Sequence, residues 1–137
     1  KNKSITALNI GIYNVTRGSP LTLEIVNHKN ERKSFIDVLE KHDITNNNIF
    51  VLDRGFFSEA LFKYVNNNSG YFVCRLRNNT LLNNNTANDY MVNYNGLNMR
   101  IIKYKIKDSD YILATNLMNT EYETIKNLYL KRRRSNC

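Results

Sequence analysis

Residues Ile49-Phe50-Val51-Leu52 form a short unbroken apolar run that stops abruptly at Asp53-Arg54-Gly55. Apolar residues without alternation mark a strand covered on both faces, and such a strand needs other layers above and below its sheet. This feature predicts a layered α/β domain with Asp53 at the carboxyl end of an interior strand. In open α/β sheets ligands gather in the crevice beyond those ends, so Asp53 is the leading candidate site residue, a carboxylate able to hold Mg²⁺. The plainer alternative is an Asp that only caps the following turn, and for an isolated Asp-Arg-Gly that reading is the better one.

The flanking patterns build the layers. Leu8, Ile10 and Ile12 alternate with small or polar residues, as do Leu21, Leu23 and Ile25 after the Arg17-Gly18-Ser19-Pro20 break, which predicts a β-hairpin. Between Glu31 and His42 the period lengthens. Phe35, Val38 and Leu39 fall on one side, and Glu31, Arg32, Asp37 and Lys41 on the other, as in an amphipathic helix. Ser58 can cap a further helix with Leu61, Phe62 and Val65 inward, and Asn66 to Gly70 stop it before a strand over Tyr71 to Leu76.

Residues 77–98 are polar and Asn-rich and read as a long loop or loose insertion. Strands are predicted over Met99 to Ile106 and Tyr111 to Ala114, around a Lys107-Asp108-Ser109-Asp110 turn. Thr120-x-x-Glu123 is a capping box opening a helix through Tyr122, Ile125, Leu128 and Tyr129, which ends on Lys131, Arg132, Arg133 and Arg134. At 137 residues and 42% hydrophobic, the chain is expected to be one domain or a piece of one.

Composition then narrows the partner. Twenty Lys and Arg against twelve Asp and Glu leave a net charge of +8, which favours a polyanion because each neutralised phosphate releases counterions. DNA is the expected partner, with a merely solubilising basic surface as the alternative. No apolar run is long enough for a membrane span and no leader pattern is present, so a soluble intracellular protein is expected. Cys74 and Cys137 make neither a disulfide framework nor a zinc pattern, and Cys74 reads as a small core residue. His28 and His42 have no partner at metal-ligand spacing. The five Asn-x-Ser/Thr matches follow from the abundance of Asn. There is no internal repeat and no Gly-rich phosphate loop, which counts against nucleotide binding.

Four segments, taken in order, carry a resemblance. They are Asn30-Glu31-Arg32 after the hairpin, Val51-Leu52-Asp53-Arg54-Gly55-Phe56-Phe57-Ser58, Tyr71-Phe72-Val73-x-Arg75-Leu76, and Ile112-Leu113-x-Thr115-Asn116-Leu117. From about Ser4 to Arg132 the chain resembles the DDE transposases of bacterial insertion sequences. The resemblance implies a ribonuclease H-like mixed sheet flanked by helices, incomplete here, with a β-rich or loop insertion around residues 77–110.

The resemblance also implies a mechanism. Three acids of that family bind two divalent ions, Mg²⁺ or Mn²⁺, which activate a water or a DNA 3′-hydroxyl for in-line attack on a phosphodiester. Asp53 matches the second acid. The first is expected upstream of Lys1, since residues 1–15 contain no Asp or Glu. The third belongs to a last-helix pattern of Tyr, two residues, Arg, three residues and Glu. Tyr129 and Arg132 match as phosphate contacts, but Asn136 stands at the Glu position and is a poor ligand for a hard cation. The family carries Trp where this chain has Arg133, and Ile or Val where it has Ser135. These departures imply a frameshifted or truncated end, or separate point changes.

Arg54 is a further candidate DNA contact, and Arg54, Arg75 and Lys63 could line the same face, but nothing in the spacing demands it. The expected function is therefore DNA transposition by descent, with the chain inactive as it stands because two of three acids are missing. Dimerisation is expected of the intact enzyme. The alternatives are a catalytically dead basic relic that binds DNA and an unrelated α/β DNA-binding protein.

Overall fold

The computed structural model describes residues 7–14, 20–26 and 31–135, with side chains from 35 to 131. The Arg17-Gly18-Ser19 break, His28, Asn136, Cys137 and the side chain of Arg132 lie outside the described residues. Seven strands form one sheet: β1 Ala7–Asn14, β2 Pro20–Val26, β3 Asn48–Leu52, β4 Tyr71–Arg75, β5 Asp89–Tyr94, β6 Leu97–Ile106 and β7 Ser109–Thr115. Three helices flank it: α1 Glu31–His42, α2 Glu59–Asn67 and α3 Tyr122–Ser135. The spatial order is β2-β1-β3-β4-β7-β6-β5. Only β3 and β4 pair in parallel; each remaining neighbouring pair is antiparallel. This is an α/β mixed sheet flanked by helices, as a ribonuclease H-like domain requires.

Alternation along the interior strands divides the core into two layers. Phe50 and Leu52 of β3 and Phe72 and Cys74 of β4 face α1 and α2, where Phe35, Leu39, Leu61, Phe62 and Val65 complete a buried cluster. Ile49, Val51 and Val73 face the other way and pack with Ile125 and Tyr129 of α3. The apolar run is therefore continuous because helices cover both sides of it. Fully burying a Phe or Leu contributes about 1.5–3 kcal/mol, and aromatic geometry adds to this where Phe62 stacks on Phe72 at 4.3 Å.

Local signals account for the helix boundaries. The α1 helix ends at His42, where Asp43 turns left-handed at φ 49°. The Ser58 hydroxyl accepts the Leu61 N–H at 3.3 Å and caps α2. At its other end Ser69 adopts φ 60° and the Gly70 N–H reaches the Val65 carbonyl at 2.9 Å. The capping box at Thr120 is not realised, since α3 begins only at Tyr122. The Thr120 carbonyl instead accepts Arg100 Nη1 at 2.5 Å. That tertiary bond is invisible to a local pattern.

Residues 77–98 are not one long loop. They include β5, which pairs with β6 across a two-residue Asn95-Gly96 turn, with φ 53° and 93°. Two positive φ values define the turn type whose twist suits a hairpin, and Asn-Gly is its preferred sequence. The signal was present, diluted by the many other Asn residues of this stretch. Tyr90, Val92 and Tyr94 alternate inward against the α1 and α2 layer. The following turn is also tighter than expected, with only Lys107 and Asp108 between Ile106 and Ser109.

Two buried polar side chains fasten this meander to the rest. Arg100 binds Asp89 through two bonds, 2.8 and 2.7 Å, and reaches the Leu117 carbonyl at 3.1 Å. Asn116 accepts the Phe72 N–H at 2.9 Å and donates to the Gly70 carbonyl at 3.1 Å. It thereby supplies pairing where the β4–β7 ladder runs out.

Two predictions follow from these contacts. A Cβ on Gly70 would lie 2.6 Å from the Thr45 carbonyl oxygen, a backbone atom that cannot swing aside. Gly70→Ala should cost about 1–3 kcal/mol in urea unfolding, against less than about 0.5 kcal/mol for exposed Asn67→Ala. The second concerns pH. Hydrogen bonds from Arg100 hold the Asp89 carboxyl below the usual range, with burial opposing. A depressed acid stabilises fully above its unfolded value of roughly 3.9, and that stability is lost as pH falls through the folded value. Melting scans below pH 5 should show a steeper loss for the unaltered chain than for Asp89→Asn; equal slopes would contradict the assignment.

Candidate functional site

Asp53 follows directly on β3 with extended backbone, φ −86° and ψ −179°. Extended geometry carries the alternation one residue further, so position 53 falls on the face of Ile49 and Val51, the face that α3 covers. The Asp53 carboxylate accepts the Gly55 N–H at 3.0 Å and caps a single 3₁₀ turn, Arg54–Phe56. Its carbonyl accepts the Phe56 N–H at 3.1 Å and the Cys74 thiol at 3.5 Å. Capping and site placement thus coexist, and the cap fixes the carboxylate at the strand end. A Cβ on Gly55 would come within 3.3 Å of that carboxylate oxygen, so the glycine leaves it room.

Beside Asp53, at the matching end of β4, stands Arg75. Its guanidinium lies 4.0 Å over the ring of Tyr111, with Nη2 donating to the Asp110 carbonyl at 3.1 Å. Tyr111 stacks in turn on Tyr104 at 5.2 Å, and Lys126 of α3 lies 5.3 Å over the Tyr104 ring. Two stacked rings capped by a cation at each end therefore form a row on the α3 side of the sheet. Two polar atoms in it, Arg75 Nε and Tyr104 Oη, are buried with no hydrogen-bond partner among the described residues. Burial chiefly, helped by neighbouring Tyr129 and Tyr111, pushes the Tyr104 hydroxyl far above its ordinary value and keeps it protonated.

Tyr129 shares that face with Asp53, and its ring is core. It is 4% exposed and meets Tyr111 edge-on at 6.1 Å. Arg132 lies one helical turn further along α3. Arg54 is exposed on the 3₁₀ turn. Lys63 is on the opposite layer and pairs with Glu59 at 2.8 Å. His42 is exposed at the end of α1, and Cys74 is a fully buried core residue. The structure thus groups Asp53 with Tyr129 and separates Lys63 from them. Arg75 is a residue that the sequence named only as able to line the same face as Arg54 and Lys63. Its position in the β4 alternation put it on the face of Val73, but nothing local named Tyr111 as its partner.

The donor set has a plain limit. No group of three or more His, Cys, Asp or Glu able to hold a metal ion exists among the described residues. Asp53 alone does not fit a two-metal centre, whose ions need several oxygen ligands.

No helix among the described residues is long and apolar enough to cross a membrane. Neither curated proteins nor solved structures give a match to the chain. The family described as "Transposase DDE domain" matches residues 2–135, nearly the whole chain. With its mixed sheet, flanking helices and an Asp at the carboxyl end of an interior strand, the chain belongs to the transposase DDE domain family.

Proposed function

We propose that this chain is part of the catalytic core of a DNA transposase whose intact form cleaves phosphodiesters and transfers strands. Transposition and DNA binding come with the family. The observation that carries the finer reading is the placement of Asp53, held by the Gly55 N–H at the end of an interior strand, on the face that α3 covers. Asp53 supplies one metal-binding carboxylate, for Mg²⁺ or Mn²⁺, to a centre completed by acids outside the described residues. Arg132 and Arg54 contact phosphates, a task that suits planar guanidinium donors. Tyr129 belongs with Arg132 through their shared helix face, while its ring anchors α3 to the sheet. Residues 77–110 are the family's insertion, and the intact enzyme pairs two DNA ends as a dimer inside the cell.

A second reading concerns the polypeptide as it stands. With Asp53 alone and Asn136 at the third acid position, the net charge of +8 supports DNA binding without catalysis. The two readings separate in one assay, metal-dependent nicking of terminal-repeat DNA. The unaltered chain should bind DNA without nicking it. A form extended by an upstream Asp-bearing strand and carrying Asn136→Glu should nick in Mg²⁺ or Mn²⁺. Adding Asp53→Asn to that form should abolish nicking while leaving the melting temperature within a few degrees, because Asn caps a turn as well as Asp does. Nicking that survives Asp53→Asn would remove Asp53 from the centre.

A further inference from the structure

The 3₁₀ turn after Asp53 has a second side. Arg54, Gly55 and Phe57 form one wall of a cavity of about 300 Å³, and Leu76, Arg77, Asn79 and Thr80, following β4, form the other. Leu76 and Phe57 belong to the α1 and α2 layer, so the cavity has an apolar floor. Arg54 and Arg77 are exposed, and neither guanidinium makes a hydrogen bond or ion pair among the described residues. Two exposed guanidiniums lining one concavity concentrate positive potential there, where an anion would be drawn. Gly55 joins the two sides of the turn: its N–H holds the Asp53 carboxylate, and the residue itself lines the cavity.

A slightly larger cavity, about 360 Å³, opens beside β6 and β7. Its cations are already engaged. Lys103 donates to the Asn83 side chain at 2.8 Å and to the Asn85 carbonyl, and Lys105 pairs with Asp110 at 3.3 Å.

We propose that the Arg54–Arg77 cavity binds the DNA backbone, a phosphodiester between the two guanidiniums with its sugar against Phe57 and Leu76. This rests on the transposase reading and adds a contact point one turn from Asp53, on the opposite side of the 3₁₀ segment. The chemistry fits each part of the lining. Guanidiniums give paired donors to phosphate oxygens, Asn79 and Thr80 offer neutral hydrogen bonds, and the apolar floor accepts the deoxyribose. A strand engaged there is held in register as it passes the Asp53 edge.

The test is the salt dependence of duplex binding by the full chain, for Arg54→Gln, Arg77→Gln and Arg77→Lys. Each neutralised phosphate contributes about 0.9 to the slope of log affinity against log salt on duplex DNA. The two guanidiniums share one phosphate, so each Gln variant should lower the slope by up to about 0.9, and Arg77→Lys should keep it while weakening binding, with melting temperatures unchanged. Lys41→Gln is the charge-matched control, exposed at the far end of α1, and should leave the slope unchanged. If Arg77→Gln behaves as Lys41→Gln does while the duplex still binds, the cavity assignment is wrong and the transposase reading stands. Failure of the unaltered chain to bind any duplex would overturn both. Inorganic phosphate in place of chloride at constant ionic strength should compete at this cavity and displace more DNA from the unaltered chain than from Arg77→Gln. Equal displacement would refute the cavity's role on DNA.

Discussion

The parallel pairing of β3 with β4 is the constraint on which the remaining structure depends. Register from Ile49 opposite Tyr71 to Leu52 opposite Cys74 fixes which residues of both strands face each helix layer. It also brings the two carboxyl ends level, so Asp53 and Arg75 emerge side by side. A slip of β4 by one residue would flip its faces, sending Phe72 and Cys74 toward α3 and Val73 toward α2. The connection between the strands is α2, whose Ser58 cap and Gly70 exit set its length, and Gly70 must pass close to the Thr45 carbonyl. The strand pair is thus held at one end by a capped turn and at the other by a tight backbone crossing.

Net charge alone would have assigned the basic residues one common purpose, and the structure divides them. Arg100 is buried in a two-bond pair with Asp89 and acts as a clamp between the edge hairpin and the start of α3. Arg75 is spread over the ring of Tyr111 and held by the Asp110 carbonyl. Lys63, Lys103 and Lys105 each have an acidic or carbonyl partner. Arg54 and Arg77 differ from all of these in facing one cavity without a partner among the described residues. The distinction matters because a cation already engaged must give up one contact to make another, whereas an unengaged one loses only its hydration.

The capping role of Asp53 is compatible with the metal-binding role proposed for it. Its carboxylate caps the 3₁₀ turn, the bland reading of Asp-Arg-Gly, and the cap itself holds the side chain at the end of an interior strand. The turn therefore pre-positions the group, and Gly55 keeps the space beside it open.

Much of the fold was legible from local chemistry. The apolar run of β3, the α1 span from Glu31 to His42, the Ser58 cap and the place of Asp53 each depend on residues within a few positions of one another. Periodicity and capping report those directly. The strand β5 was legible too, through Asn95-Gly96, but the surrounding Asn residues hid a specific turn signal inside a composition that usually means loop.

What the sequence alone determined is therefore the set of elements and the residue at the critical strand end, because hydrophobic period and turn chemistry are short-range properties. Tertiary structure decided the rest: that Tyr129 shares a face with Asp53, that Arg75 lies on Tyr111, that Arg100 bonds the Thr120 carbonyl, and that Arg54 meets Arg77 across a cavity. Each of these joins residues 17 or more positions apart, and such meetings are set by sheet register and helix packing, which no local pattern encodes.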